Sequence, residues 1–299
     1  MTPFLVLTVI LLYFALILVI SQVTGRHADN ASFFIGNRRS PWYVVAFGMI
    51  GASLSGVTFI SLPGWVGDSQ FSYMQIVLGY LLGYFIVIQV LLPLYYRLNL
   101  TSIYTYLEGR FGWRSYKTGA SFFLISRVMG ASFRLFLVAN VLHISVFSSW
   151  NIPFWATVVI TILLIWLYTF RGGIKTIIWT DTLQTLFMIL AVIVTVVLIA
   201  RELDLNFAGL AREVAQSDYS RIFFFSDWKA GNHFIKQVLS GVFIVVVMTG
   251  LDQDMMQKNL SCRNLKDAQK NMYWMSIALV PVNLLFLSLG ALLFIFAAR

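Results

Sequence analysis

Long apolar segments dominate this sequence and limit the class of fold that it can adopt. Hydropathy gives eight segments of about the 20 residues that a helix needs to cross a bilayer, near residues 3–21, 42–62, 72–95, 118–147, 153–170, 174–200, 235–253 and 273–298. Of the 299 residues, 59% are hydrophobic and only 11% are charged, which excludes an ordinary soluble domain. We therefore predict an all-α polytopic membrane protein with about eight transmembrane helices.

The net charge of +9 is spread unevenly among the loops. Basic residues gather in alternate loops, at 26–39, 97–117, 171–175 and 258–270. The loops between them have none at 63–71 and 148–153 and a mixture of both signs at 201–234. This alternation is the positive-inside pattern. It predicts a multi-pass protein of the plasma (cytoplasmic) membrane with its N-terminus outside, and the basic excess is no evidence for a nucleic-acid partner. The first segment has no basic flank and no cleavage site before a mature domain, so we expect a true span.

The second segment has an unusual centre. Between Gly48 and Gly56 it contains three glycines and the serines Ser53 and Ser55, although glycine costs roughly 1 kcal/mol relative to alanine inside a helix. One interpretation is a broken helix whose freed backbone groups bind an ion and a substrate. The other is a tight contact between helices, since small residues also mark packed transmembrane interfaces. Both remain open at this point.

Two arginines lie within the fourth segment. Arg127 and Arg134 are seven residues, about two helical turns, apart and so share one face. Insertion of an arginine into a span costs at least ~2.5 kcal/mol of free energy, so we expect each of these two to have a binding or pairing partner. The guanidinium groups could bind an anionic solute or pair with an intramembrane carboxylate. Arg127 could instead extend toward the membrane surface.

The sixth segment contains one carboxylate, Asp181, about 10 Å into the helix at 1.5 Å per residue. Such a group must be paired, protonated or bound to a cation. Thr180, Thr182 and Thr185 surround it in sequence and favour a hard alkali cation with oxygen ligands. The alternative is an ion pair with an arginine of the fourth segment.

The seventh segment repeats the pattern of the second. Thr249 and Gly250 interrupt an apolar run, and the polar residues Asp252, Gln253 and Asp254 follow. We therefore expect a second interrupted helix here.

Four stretches together resemble the sodium/solute symporter family, which includes the sodium/glucose, sodium/proline and sodium/sialic acid cotransporters. They read FFIGNRRSPWYVVAFGMIGASLSGVTFISLPG, LTSIYTYLEGRFG, FRGGIKTIIWTDTLQ and DQDMMQKNL. The resemblance covers essentially the whole chain, and GGIKTIIWTDTLQ is its most specific part.

The resemblance implies a LeuT-type inverted-repeat fold in a single transmembrane transporter domain. Residues 1–21 would be the extra N-terminal helix, 42–200 the first five-helix repeat, 201–234 an external loop and 235–299 the start of the second repeat. Two of the five helices of the second repeat would be present. The absent helices include the eighth core helix, which supplies hydroxyl ligands to sodium in this family.

The resemblance also implies sodium as the coupling ion and assigns roles to residues. Sodium would be bound at Gly51 and Leu54 through their carbonyl groups, with Asp181 beside the site. Substrate contacts would come from the broken segment, the seventh segment and the fourth: Ser53, Ser55, Thr58, Asp252, Gln253 and Arg127. Asp252 departs from the asparagine usual in the family, which puts a purely sugar-type site in doubt. Together with Asp254, it also offers the arginines of the fourth segment a carboxylate partner.

The function implied is sodium-coupled symport of a small polar or anionic solute, of the sugar, amino acid, sialic acid or carboxylate class, by alternating access. The alternative is a truncated or inactive symporter-like membrane protein that acts as a sensor or assembly subunit. An enzyme is not expected, because the sequence has no histidine-rich metal cluster and no G-x-S-x-G motif. The expected partners are the solute and the lipid bilayer, and the oligomeric state stays open.

Overall fold

The structure, a computed structural model, describes residues 3–25, 38–54, 56–100, 102–169 and 173–298. These residues form helices joined by turns and loops, with a long loop between Gln216 and Phe234. In chain order the α-helices are α1 Pro3–Gly25, α2 Trp42–Ser53, α3 Gly56–Ser69, α4 Tyr73–Ile86, α5 Leu92–Arg97, α6 Ile103–Phe111, α7 Trp113–Ser145, α8 Phe154–Thr169, α9 Gly173–Glu202, α10 Phe207–Gln216, α11 Phe234–Val245, α12 Gln253–Leu260 and α13 Leu265–Ala298.

Each of the eight predicted segments overlaps a helix or a pair of helices, which confirms the all-helical class. Five helices are long and apolar enough to cross a membrane, or six if one bent pair counts as a single span. The predicted number of eight spans therefore stays a prediction, because helices such as α2 and α8 are shorter than a full crossing. The structure still has the several apolar helices of a multi-pass membrane protein.

The chain divides into two compact units. One comprises Met1–Ser40 and Leu100–Thr180, and the other comprises Pro41–Asn99 and Asp181–Arg299. The boundary falls inside the long helix α9, between Thr180 and Asp181.

In the first unit, α7 packs against α6 and α8. A sharp turn at Gly112, whose φ is +84°, joins α6 to α7. Arg127 of α7 is half-buried, and its guanidinium carbon lies 5.4 Å from the centre of the Phe123 ring. The Phe123 ring in turn packs against Tyr104 of α6 at 5.5 Å. Arg127 thus contacts an aromatic side chain one turn closer to the start of its own helix.

In the second unit, α4 and α11 approach so closely that glycine is needed on both helices. A Cβ atom at Gly79 would collide with the backbone of Val238, and one at Gly241 would collide with the backbone of Ile76. Such contacts between small residues allow strong packing in a membrane, where no hydrophobic effect drives helices together.

A buried glutamine holds the loop that precedes α11 against α4. Gln75 is fully buried, donates to the Asn232 carbonyl at 2.9 Å and accepts from the Phe224 N–H group at 3.2 Å. Its amide therefore supplies both a donor and an acceptor to loop backbone that has no helical partner.

Candidate ion and solute site

The second predicted segment is a broken helix. Helix α2 ends at Ser53, Leu54 leaves the helical conformation with φ −101° and ψ 87°, and α3 begins at Gly56. Ser55 lies outside the described residues. The carbonyl groups in the last turn of a helix lose the amide donors that a continuous helix would supply, so the break can present the carbonyls of Gly51 and Leu54 to a ligand.

The same segment also makes the close helix contact that was the alternative interpretation. A Cβ atom on Gly51 would collide with the Thr185 side chain of α9. Thr182 Oγ1 donates to the Val44 carbonyl at 3.2 Å, and Thr185 Oγ1 lies 3.5 Å from the Gly48 carbonyl oxygen. Two of the threonines expected beside a cation therefore hold the backbone of α2 against α9.

Asp181 is ion-paired in this structure. Its Oδ2 atom lies 2.7 Å from Lys258 Nζ of α12, and only 17% of the Asp181 side chain and 5% of the Lys258 side chain are exposed. Lys258 Nζ also lies 3.9 Å from Asp254 Oδ2, one turn earlier on α12. Of the three states expected for Asp181, which were paired, protonated or bound to a cation, the structure shows an ion pair. Its partner is a lysine, and not the arginine of the fourth segment that the sequence offered.

Lys258 is the residue that the sequence analysis missed, because it was counted with the basic residues of a loop. One signal was available. An interrupted seventh segment implies that a second half-helix follows the break, and Lys258 lies on that half-helix, four residues after Asp254. A lysine there is buried and needs a carboxylate.

The seventh predicted segment is interrupted as expected. Helix α11 runs through a π turn to Gly250, and the axis then bends by 65° into α12. Asp252 is the N-terminal cap of α12, and its Oδ1 atom accepts from the Met255 N–H group at 3.1 Å. The carboxylate that departs from the family's asparagine is thus used, in this structure, to begin the second half-helix.

Tyr84 of α4 lies near both breaks, and nothing in the sequence singled it out. The residue is only 3% exposed, and its hydroxyl group lies near the hydroxyls of Ser53 at the first break and Thr249 at the second. Ser53 Oγ is itself buried. The second unit therefore contains a polar centre, formed by Ser53, Tyr84 and Thr249, between two interrupted helices.

The remaining candidate residues are distributed over both units. Thr58 is half-buried on α3, and Gln253 is half-buried at the first position of α12. Arg127 belongs to the first unit, where it lies over Phe123. The structure thus brings Ser53, Asp181 and the second break into one unit.

Comparison with known proteins agrees with this architecture. The model of the family described as "Sodium:solute symporter family" matches residues 33–298. The sodium/sialic acid symporter NanT of Aliivibrio fischeri is 26% identical over 294 residues, which cover 94% of this chain and 55% of that protein. The sodium-dependent multivitamin transporter of Oryctolagus cuniculus is 29% identical over 274 residues, covering 90% of this chain and 41% of that protein.

A solved structure of a sodium-coupled sialic acid symporter, in a substrate-bound outward-open state, superimposes with a TM-score of 0.84 at 22% identity. The match covers 97% of this chain and 61% of that one, and it confirms the predicted LeuT-type fold. The chain spans about half the length of the curated relatives it matches. These relatives are transporters, in agreement with the expectation that the chain is not an enzyme.

Proposed function

Because the chain belongs to the sodium:solute symporter family, we propose that it takes part in sodium-coupled uptake of a small polar or anionic solute by alternating access. The observation that carries this proposal is the presence of two interrupted helices in one compact unit, at Ser53–Gly56 and at Gly250–Gln253. Interrupted helices near the middle of a membrane are the usual site for substrate and coupling ion in secondary transporters.

Sodium would bind at the first break, through the carbonyl oxygens of Gly51 and Leu54. Both residues lie at the end of α2, where the chain leaves the helical conformation. The ligand atoms available there are oxygens, which hard cations prefer. The side chain of Asp181 would serve sodium binding or release from a position beside this site.

The ion pair with Lys258 suggests how Asp181 would serve release. The lysine ammonium group is a monovalent cation 2.7 Å from the carboxylate that a leaving sodium ion would approach. The ammonium group and the sodium ion would compete for Asp181. When no sodium ion is bound there, the Asp181–Lys258 pair would hold α12 against α9. Opening of the pathway to the basic-loop side would then require separation of Asp181 and Lys258.

The solute would contact Ser53, Ser55 and Thr58 from the first break and Asp252 and Gln253 from the second. The relatives named for sialic acid and for monocarboxylates transport solutes with a carboxylate group. This supports an anionic solute, and Arg127 is the residue that we propose for its carboxylate, because guanidinium binds carboxylate in bidentate geometry. The protein would lie in the plasma membrane with its N-terminus outside.

Uptake into proteoliposomes tests the proposal. The purified protein is reconstituted, and entry of radiolabelled sialic acid or of short monocarboxylates is followed with and without an inward sodium gradient. We expect uptake that depends on the gradient and that Asp181→Asn abolishes. Uptake that is unchanged in Asp181→Asn would contradict the assignment of Asp181. Solute binding without gradient-driven uptake would instead support the alternative of a non-transporting sensor or assembly subunit.

A further inference from the structure

The long helix α13 carries a buried polar group with an unused acceptor. Asn283 is only 1% exposed and donates from Nδ2 to the Leu279 carbonyl of its own helix at 2.7 Å. Its Oδ1 atom is buried and accepts no hydrogen bond from any described residue. A buried acceptor without a partner costs free energy, so a ligand that binds this oxygen would explain its presence.

Contacts on either side of Asn283 locate it beside the first break. Earlier on α13, Asn271 Nδ2 lies 3.5 Å from the Met49 sulfur of α2. One turn after Asn283, the Phe286 ring meets the Phe59 ring of α3 at 5.7 Å. Helix α13 therefore runs along α2 before the break and along α3 after it. Gly290, seven residues after Asn283 and on the same face, lies against the Pro63 backbone of α3.

Two buried amides of α13, Asn271 and Asn283, have an Oδ1 atom that accepts no hydrogen bond from any described residue. Asn271 donates to Asn259 of α12 at 2.6 Å, so Asn283 is the one of the two that is not engaged with a neighbouring helix. Ser276, which is also buried, donates to the Tyr273 carbonyl of its own helix at 2.8 Å. Leu279, Asn283 and Phe286 are spaced four and three residues apart, which places them on one helix face. The Asn283 amide thus lies at the level at which α2 ends and α3 begins.

The chemistry of this interval selects the class of ligand. The Asn283 NH₂ group is engaged within α13, so the amide offers an oxygen atom. The break offers carbonyl oxygens and the buried Ser53 hydroxyl. Carbonyl and hydroxyl oxygen atoms gathered in one place are a ligand set for a hard cation. We propose that Asn283 Oδ1 is a ligand of a sodium ion bound at the break between α2 and α3.

This inference rests on the proposed sodium coupling and adds a ligand from a helix that the assignment of Gly51, Leu54 and Asp181 did not include. It also gives α13 a role in coupling. Since Phe286 and Asn283 lie one turn apart, a sodium ion bound to Asn283 would hold α13 and the end of α2 together at the break.

Sodium binding without solute tests the proposal. Thermal unfolding of the purified protein in detergent is followed by tryptophan fluorescence while sodium chloride replaces choline chloride at constant ionic strength. Sodium that binds the folded state raises the Tm of the unmodified protein. Asn283→Leu, which keeps the size but removes the oxygen, should shift the half-maximal sodium concentration about tenfold upward or more.

Ser276→Ala is the control on the same helix. It removes a buried hydroxyl group whose hydrogen bond is made to the Tyr273 carbonyl at 2.8 Å. Both variants should unfold at lower temperature in choline, but Ser276→Ala should keep the sodium response. If Asn283→Leu does not fold, Asn283→Asp decides the question, because an added negative charge at a sodium ligand should lower the half-maximal sodium concentration.

The outcomes separate the inference from the proposed function. An unmodified protein that responds to sodium, with Asn283→Leu or Asn283→Asp giving the same half-maximal concentration, would overturn the role of Asn283 and leave sodium coupling intact. An unmodified protein whose Tm does not change with sodium would overturn both.

Discussion

Lys258 Nζ lies 2.7 Å from Asp181 Oδ2, although the two residues are 77 positions apart in the chain. The pair joins α9 to α12, the half-helix that follows the second break. Both side chains are largely buried, with exposed fractions of 5% and 17%. Removing one member would leave the other charge in a medium of low dielectric constant, so the two residues depend on each other.

The first prediction concerns the stability of this pair. Lys258→Met should lower the free energy of unfolding by about 3–5 kcal/mol, because it leaves Asp181 buried and unpaired. Asp181→Asn should also destabilise the protein, and the double variant should lose less than the sum of the two single changes. Thermal denaturation measures all three, with Lys266→Met, at an exposed lysine, as the control. Strictly additive losses would mean that the two charges are not coupled.

The second prediction concerns the contact between α2 and α9. Gly51→Ala should destabilise the protein by about 1–3 kcal/mol, because the new methyl group would meet Thr185 in a packed interior. Gly64→Ala is the matched control on α3, since a Cβ atom there would meet nothing within 4 Å. Removing the obstructing side chain with Gly51→Ala/Thr185→Ala should recover part of the loss in the same thermal assay. A Gly51→Ala variant as stable as Gly64→Ala would show that the contact is loose.

The third prediction concerns the start of α12. Asp252→Ala should cost about 1 kcal/mol, because it removes the side-chain acceptor for the Met255 N–H group. Asp252→Asn should be close to neutral, since asparagine caps helices about as well as aspartate. Chemical denaturation of the three proteins measures the difference. If both substitutions are equally harmful, the negative charge of Asp252 matters more than its capping bond.

The fourth prediction concerns the cysteine in the turn between α12 and α13. Burial raises the pKa of the Cys262 thiol to about 12, and the residue is fully buried. The reactive thiolate forms only as the pH rises toward this pKa. We therefore expect no labelling by a maleimide at neutral pH in the folded protein, and full labelling after denaturation.

Arg263→Cys provides the comparison for that experiment, because position 263 is exposed and adjacent. It should be labelled readily in the folded protein. With a membrane-impermeant maleimide on intact cells, the same variant tests the predicted orientation: labelling only after permeabilisation agrees with a cytoplasmic loop. Rapid labelling of Cys262 in the unmodified folded protein would contradict its burial.

Much of the fold could be predicted from local patterns. A bilayer forces every backbone polar group into internal hydrogen bonds, so long apolar segments have to be helices. The sequence also indicated the interruption of the seventh segment, whereas at the second segment a break and a tight helix contact both remained open. Glycines and serines between residues 48 and 56, and Thr249–Gly250 in the seventh segment, weaken a helix wherever the rest of the chain lies.

The contacts of the site could be predicted only in part. The threonines around Asp181 indicated oxygen ligands, but Thr182 and Thr185 bind or approach the backbone of α2. Tyr84 and Asn283 lie in apolar helices, and no sequence motif marks either position. Their importance arises from which helices lie beside them, and the sequence of a single helix carries no information about its neighbours.

Asp181 illustrates what the sequence determines and what the tertiary structure determines. From the sequence alone, a carboxylate about 10 Å inside a predicted span must be paired, protonated or bound to a cation, because an isolated charge is costly in a low-dielectric medium. That requirement follows from one segment and is independent of topology. The choice of Lys258 depends on the bend of 65° that directs α12 toward α9, and only the tertiary structure decided it, since the partner lies 77 residues away.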